Sequence, residues 1–181
     1  MSDTIAKSEK RPEEKIFNQL KGLAARDILA SVPDLYGKKG ALMFPRDEIY
    51  RARMLIAALD NGFSADVLAK LDAQMLATST YLHPDSSETR SLTQAVESLS
   101  ADQPAFWVFE VAQLRMESGE IDFSGRWVVN GNRFATHPDW LTIQDDGSAF
   151  AGMLEVVTFF AFSYLCRPIF NEIERRAKAE S

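Results

Sequence analysis

The alternation of apolar and polar positions between Phe44 and Met75 predicts two helices that meet at a tight corner. At about 100° per residue, one arc of the first helix is apolar and a second arc, turned away from it, is basic and aromatic. The apolar arc contains Ile49, Ala52, Ile56 and Leu59, and the second arc contains Arg46, Tyr50 and Arg53. Asn61-Gly62 is expected to end this helix, because glycine adopts the left-handed conformation cheaply, and Ser64 can cap the next helix.

Two shorter helices are predicted ahead of this corner, after a polar tail. Residues 1–12 have little apolar content, which is typical of a disordered tail. The first short helix is predicted to begin at Pro12, Glu13 and Glu14 and to end at Gly22. The second covers residues 24–31, and Pro33 ends it because the residue before a proline is pushed out of the helical region.

Residues 35–44 can form two short strands joined by a turn. Gly37 and Gly40 bracket Lys38 and Lys39 in this segment. Two glycines on either side of a charged pair are typical of a turn between strands. A surface loop that carries two solvated lysines is the alternative interpretation.

A polar segment rich in serine and threonine occupies residues 77–104. We interpret it as a linker with one amphipathic helix, which Ser86 or Ser87 can cap. The apolar positions of that helix, at i, i+4 and i+7, are Leu92, Val96 and Leu99.

The last part of the chain, residues 105–181, is predicted to form a small sheet followed by an apolar helix. Residues 105–116 are rich in aromatic and β-branched side chains, Asn130-Gly131 is typical of the centre of a hairpin, and residues 139–144 can add a third strand. Residues 149–166 are apolar except at three positions, which are Glu155, Thr158 and Ser163. The glutamate within this run favours a buried helix or a subunit interface over a membrane span.

The motif Phe44-Pro45-Arg46-Asp47-Glu48, followed by a helix and then Gly62-Phe63-Ser64, resembles the second half of a MerR-type winged-helix DNA-binding domain. The resemblance covers residues 13–76. It implies that the two short helices form a helix-turn-helix, that residues 35–44 form the wing, and that duplex DNA is the partner. The DNA contacts that it implies are Arg26 from the second short helix, Lys38 and Lys39 from the wing, and Arg46 and Arg53 beyond it.

Two features depart from that family pattern. Residues 32–36 stand where an arginine- and tyrosine-rich segment usually precedes the wing, and no sustained heptads follow the corner to form a long dimerising helix. The predicted fold class is therefore α+β, with a helical winged-helix-like N-terminal domain, a linker, and a small antiparallel sheet with a C-terminal apolar helix. Residues 105–181 would serve as the dimerisation or sensing module.

Charge is distributed unevenly along the 181 residues, whose net charge is −6. Residues 1–53 carry 11 Lys and Arg against 8 Asp and Glu, which gives +3, whereas residues 54–181 carry 9 against 18, which gives −9. A net negative chain does not coat nucleic acid through bulk attraction, but this asymmetry is compatible with an N-terminal part that faces nucleic acid.

The usual signatures of catalysis and metal binding are absent from the sequence. Two histidines and the single cysteine, Cys166, give no zinc pattern, and no glycine-rich phosphate loop or nucleophile elbow appears. We therefore predict no enzyme activity, no metal and no cofactor. A single cysteine without an N-terminal signal segment indicates a cytoplasmic protein.

The leading hypothesis from these patterns is a transcriptional regulator that binds duplex DNA as a homodimer. The apolar run from Phe150 to Phe170, read as a helix apolar on most of its circumference, is expected at or near the dimer interface. The alternative is a non-enzymatic protein-interaction module that self-associates through its C-terminal part and binds a protein partner.

Overall fold

The computed structural model describes residues 1–29, 44–45, 47–77, 79–83, 86–101, 105–129 and 152–180. It has helices in the N-terminal half, a three-stranded antiparallel sheet and a C-terminal helix, so the predicted α+β class is confirmed. Two compact units divide the chain: residues 1–68 with 164–181, and residues 69–163. This division differs from the predicted segments, because the last 18 residues belong with the helical unit.

The helical unit begins with a helix where a disordered tail was predicted. Helix α1 spans Ser2–Glu9 and buries Ile5 and Ala6, so that prediction is wrong. Burial of these two apolar side chains anchors α1, and its polar residues contact other elements. Asp3, for example, contacts Arg176 of the C-terminal helix at 2.8 Å.

Helix α2 spans Glu13–Ala24, continues past Gly22 and ends in a Schellman motif. Asp27 has a φ of 55°, its N–H bonds the carbonyl of Ala24 at 3.1 Å, and the N–H of Ile28 bonds the carbonyl of Leu23 at 3.1 Å. These bonds reverse the chain immediately after α2. The predicted second helix over residues 24–31 is therefore wrong in its described part, which is a turn.

Helices α3 (Glu48–Asp60) and α4 (Ala65–Leu76) confirm the predicted corner. Gly62 has a φ of 86°, and the hydroxyl of Ser64 accepts a hydrogen bond from the N–H of Val67 at 3.5 Å. The predicted basic and aromatic face of α3 is buried, as its apolar face is. Every residue from Ile49 to Ala58 is buried, because neighbouring elements of the helical unit surround α3.

The second unit continues from α4 into a hairpin and a short helix. Strands β1 (Ser79–His83) and β2 (Ser86–Arg90) pair antiparallel, and helix α5 (Leu92–Glu97) leads into a 3₁₀ turn at Ser98–Ser100. The amphipathic helix is thus confirmed. Its cap was predicted wrongly, because the hydroxyl of Ser91 accepts the N–H of Gln94 while the two predicted capping serines lie in β2.

Strands β3 (Trp107–Met116), β4 (Ile121–Val129) and β5 (Gly152–Phe160) form an antiparallel sheet in the order β4-β3-β5. The predicted strand at 105–116 is confirmed. It turns into β4 through residues 117–120, where Gly119 has a φ of 85°. The predicted hairpin centre at 130–131 and the predicted strand at 139–144 lie outside the described residues.

The apolar run before the C-terminus is a strand followed by a helix, so the prediction of one helix over 149–166 is wrong. Helix α6 spans Phe162–Glu180 and follows β5 after one residue. The β-branched and aromatic residues at 156–160 favour an extended chain, and they pair with β3 in the sheet. Phe160 is accordingly a buried strand residue.

Candidate functional site

The outer edge of β4 is closed by side chains that bond its outward-facing backbone groups. The N–H of Gly125 donates to the side-chain oxygen of Gln74 in α4 at 2.7 Å, and the N–H of Phe123 donates to the carboxylate of Asp122 at 2.8 Å. Asp122 also forms an ion pair with Lys70 of α4. These contacts remove hydrogen-bonding groups that would otherwise be offered to another strand.

The same edge is held further along by Trp127. Its indole N–H donates to the carbonyl of Met75 at 3.0 Å, and its backbone carbonyl accepts from Arg90 at 3.5 Å. The indole ring lies 5.0 Å from the ring of Phe109 and 5.5 Å from the ring of Phe162, centroid to centroid. These buried aromatic contacts therefore hold β4 against Phe109 of β3 and Phe162 of α6.

Among the described strands, β5 forms the other edge of the sheet, and the register shows which of its backbone groups face outward. In an antiparallel pair, alternate residues direct both backbone groups to the same side. The outward bond of Gly125 means that its partner Val111 directs its backbone groups to β5, where Val111 faces Thr158. The backbone groups of Thr158 thus point inward, and those of Val157 and Phe159 point away from the sheet.

Two large apolar side chains of β5 are exposed, and we call the outer side of β5 at Val157 the open edge with respect to the described residues. Val156 is 49% exposed and Phe159 is 39% exposed. Within the described ranges, no group bonds the backbone N–H or carbonyl of Val157. An edge strand with outward backbone groups and exposed apolar side chains is a template for pairing with another strand.

One charged residue lies on the described part of β5, and its charge is compensated. Glu155 stands where the register between β3 and β5 shifts, and its carboxylate accepts bonds from Arg115 and from the side-chain amide of Gln113, the latter at 3.0 Å. The hydrogen bond from Arg115, followed by that from Gln113, lowers the pKa of Glu155 below its usual value. The carboxylate therefore does not present an uncompensated charge that would repel a second strand.

The two predicted DNA contacts that the structure describes differ in exposure and in their partners. Arg26 is exposed just after α2 and donates to the carbonyl of Gly22 at 2.9 Å. Arg53 is 8% exposed and forms an ion pair with Glu9 of α1. The other three predicted contacts, Lys38, Lys39 and Arg46, lie outside the described residues.

The described residues give no chemistry of a metal centre or a reactive thiol. They contain no group of three or more His, Cys, Asp and Glu arranged to hold a metal ion. Cys166 is buried, and burial raises the pKa of its thiol, which keeps it protonated. No helix among the described residues combines the length and apolar character needed to cross a membrane.

The open edge was missed by the sequence analysis although a signal for it is present. Residues 156–160 read Val-Val-Thr-Phe-Phe, a β-branched and aromatic run that is typical of strands. A short run that is apolar throughout has no period, and periodicity alone therefore does not distinguish a strand from a buried helix.

Comparison with known proteins yields no match to a family model, to a curated protein or to a solved structure.

Proposed function

We propose that this chain is a non-enzymatic interaction protein that self-associates by pairing β5 of one copy with β5 of a second copy. The open edge around Val157 carries this proposal. A second copy suits it because a twofold axis brings the same strand to itself in antiparallel order, which makes the two edges complementary. At the opposite edge, β4, outward N–H groups are bonded by Asp122 of the same strand and by Gln74 of α4.

A pairing centred on Val157 brings the outward groups of both copies face to face. Val157 then lies opposite its counterpart, Val156 opposite Thr158, and Glu155 opposite Phe159. The two glutamates do not oppose each other, so like-charge repulsion across the interface is avoided. The two three-stranded sheets become one of six strands, and the exposed part of Val156 gains a cross-strand neighbour.

The test is sedimentation equilibrium of the wild type, Val156→Lys and Ile121→Lys. Ile121 is a matched control, because it is 43% exposed but lies on β4, the covered edge. We expect the wild type to be dimeric at about 100 μM, a concentration that corresponds to a modest free energy of association. Val156→Lys should weaken the dimer by about tenfold or more, since a lysine on an edge strand opposes pairing.

Two results would overturn this proposal. A wild type that remains monomeric at that concentration removes self-association altogether. Equal weakening by Val156→Lys and Ile121→Lys shows that the interface does not depend on β5. Circular dichroism of each variant establishes that a monomeric species is folded.

A DNA-binding regulator is the second candidate, and the confirmed corner between α3 and α4 favours it. The corner occurs at the residues that resemble the MerR-type domain, and Arg26 is exposed nearby in the same unit. With Arg53 paired to Glu9, the remaining contacts are Arg26, Lys38, Lys39 and Arg46. If two copies place all of these on phosphates, the slope of log K against log salt is about −7.

Titration into selected and random duplexes at two salt concentrations tests this candidate. Replacing Lys38 and Lys39 by glutamine should reduce the magnitude of the salt slope by about 3 to 4 in a dimer. Salt-insensitive binding excludes these lysines as phosphate contacts. Absence of binding to any duplex leaves self-association as the function of the chain.

A further inference from the structure

The helical unit contains a cavity of about 690 Å³ between α2 and the corner that joins α3 to α4. Its apolar lining includes Leu23, Ile28 and Leu68, which are buried, and Leu59 and Ala65, which are half-buried and form the accessible apolar floor. Asn18 and Gln19 add polar groups to the wall. A volume of this size lies within the range of about 300 to 1,000 Å³ that is typical of small-molecule sites.

The charged groups of the lining favour an anion. Lys15 and Arg26 supply two positive charges and Glu14 supplies the one carboxylate of the described lining. Lys15 lies 3.6 Å from Asp60, which lies outside the described lining and is also bonded by Arg11 at 2.8 Å, and Arg11 pairs with Glu9 as well. An anionic group that enters the cavity therefore meets a net positive charge.

Arg26 is the group best placed to contact such an anion. Its guanidinium lies against the end of α2 and bonds the carbonyl of Gly22, and no carboxylate of the described residues pairs with it. A guanidinium has several N–H donors, so one bond to a carbonyl leaves others for a carboxylate. The Schellman turn at Asp27 fixes the chain on either side of this arginine.

Gly22 provides the space for this arrangement. A glycine inside a helix costs about 1 kcal/mol relative to alanine, so its presence near the end of α2 needs a reason. A Cβ atom at this position would lie 3.3 Å from the Nη1 atom of Arg26, closer than ordinary contacts. The missing side chain thus lets the guanidinium rest at the wall of the cavity.

We infer that this cavity binds a small amphipathic monoanion, with its carboxylate on Arg26 and its apolar body on Leu59 and Ala65. The inference is independent of self-association through β5, because every described lining residue belongs to the helical unit. A single carboxylate matches the net charge of the lining. An apolar body of one ring and a short alkyl chain suits the floor and the volume.

The test uses 4-butylbenzoate and its neutral counterpart 4-butylbenzamide in calorimetric and amide-NMR titrations without DNA. We expect the acid to bind at least about tenfold more tightly than the amide, because a charge-assisted bond to arginine is stronger than a neutral one. Arg26→Gln should remove that preference. Lys21→Gln is the matched control, since Lys21 is exposed on α2 and does not line the cavity.

A second variant tests the cavity without changing charge. Ala65→Trp places a large side chain at the start of α4, within the lining, and should abolish binding of the acid and the amide alike. Equal affinities for acid and amide, or unchanged binding by Arg26→Gln, would overturn the inference. NMR shifts that cluster outside the lining would also overturn the inference. Shifts of the lining residues that require an added peptide, or the association of a second copy, would overturn it as well.

Discussion

The two edges of the described three-stranded sheet differ in whether their outward backbone groups are bonded. On β4, the outward backbone groups are bonded by side chains from Gln74, Asp122 and Arg90. On β5, Val157 faces outward without a bonding group from the described residues, and the exposed side chains beside it are apolar. The difference shows that edge protection in this chain depends on a few polar side chains placed beside one strand.

The largest effect is expected from Val157→Pro, which removes the outward N–H of the open edge. Proline is tolerated in edge strands when its missing N–H faces solvent, so the sheet should stay folded. Two intermolecular bonds are lost at the centre of the pairing, and we expect the dimer to weaken by about thirtyfold, since each bond contributes about 1 kcal/mol. Sedimentation equilibrium measures the dissociation constant, and a persistent dimer would contradict pairing at this residue.

Gly125→Ala should damage the covered edge without affecting association. A Cβ atom at this position would overlap the ring of Phe109, which is buried, and would lie 3.2 Å from the side-chain oxygen of Gln74. Overpacking of this kind costs about 1–3 kcal/mol. Urea unfolding should show that loss, while Ser124→Ala on the same strand should not. Unchanged stability of Gly125→Ala would show that Phe109 can move aside.

Gln74→Ala should open the covered edge at one point. The part-buried N–H of Gly125 loses its acceptor, which costs about 1 kcal/mol. Gln74→Glu keeps an acceptor oxygen and is the matched control. Hydrogen exchange at the amide of Gly125 should become faster in Gln74→Ala and remain slow in Gln74→Glu. Equal exchange in both variants would mean that another group covers this edge.

The smallest effect is the pH dependence of the Asp122 contacts. Burial opposes ionisation of Asp122, but the bonds from Lys70 and from the N–H of Phe123 outweigh it and lower the pKa of this carboxyl. A lowered folded-state pKa gives stability that is present above the unfolded value and lost as pH falls through the folded one. Asp122→Asn should be less stable than wild type at pH 7, by under about 1 kcal/mol for a partly exposed pair.

Unfolding measured below about pH 4, near the ordinary aspartate pKa, should show a smaller difference in stability between Asp122→Asn and the wild type. A constant difference across this range would contradict the assignment.

Local signals were sufficient for the corner between α3 and α4. Gly62 and Ser64 act within a few residues of their own position, so their roles can be read from the sequence. The burial of Arg53 could not be predicted in the same way. It depends on Glu9 of α1, which is 44 residues away in a segment whose composition resembles a tail.

The open edge could not be predicted from hydrophobic periodicity, for a different reason. Residues 149–166 are apolar on nearly every position, and such a run fits a buried helix as well as a strand. Pairing with β3 decides the outcome, and it is a long-range contact. The closing of β4 likewise needs Gln74 to lie beside Gly125, 51 residues away.

Hydrogen exchange at Val157, followed against protein concentration, tests the central claim most directly. Pairing of β5 with itself predicts that the Val157 amide exchanges rapidly in dilute protein and becomes protected as the concentration rises through the dimer dissociation constant. The Gly125 amide, already bonded to Gln74, should be equally protected at every concentration. A Val157 amide whose exchange does not change with concentration would contradict self-association through this edge.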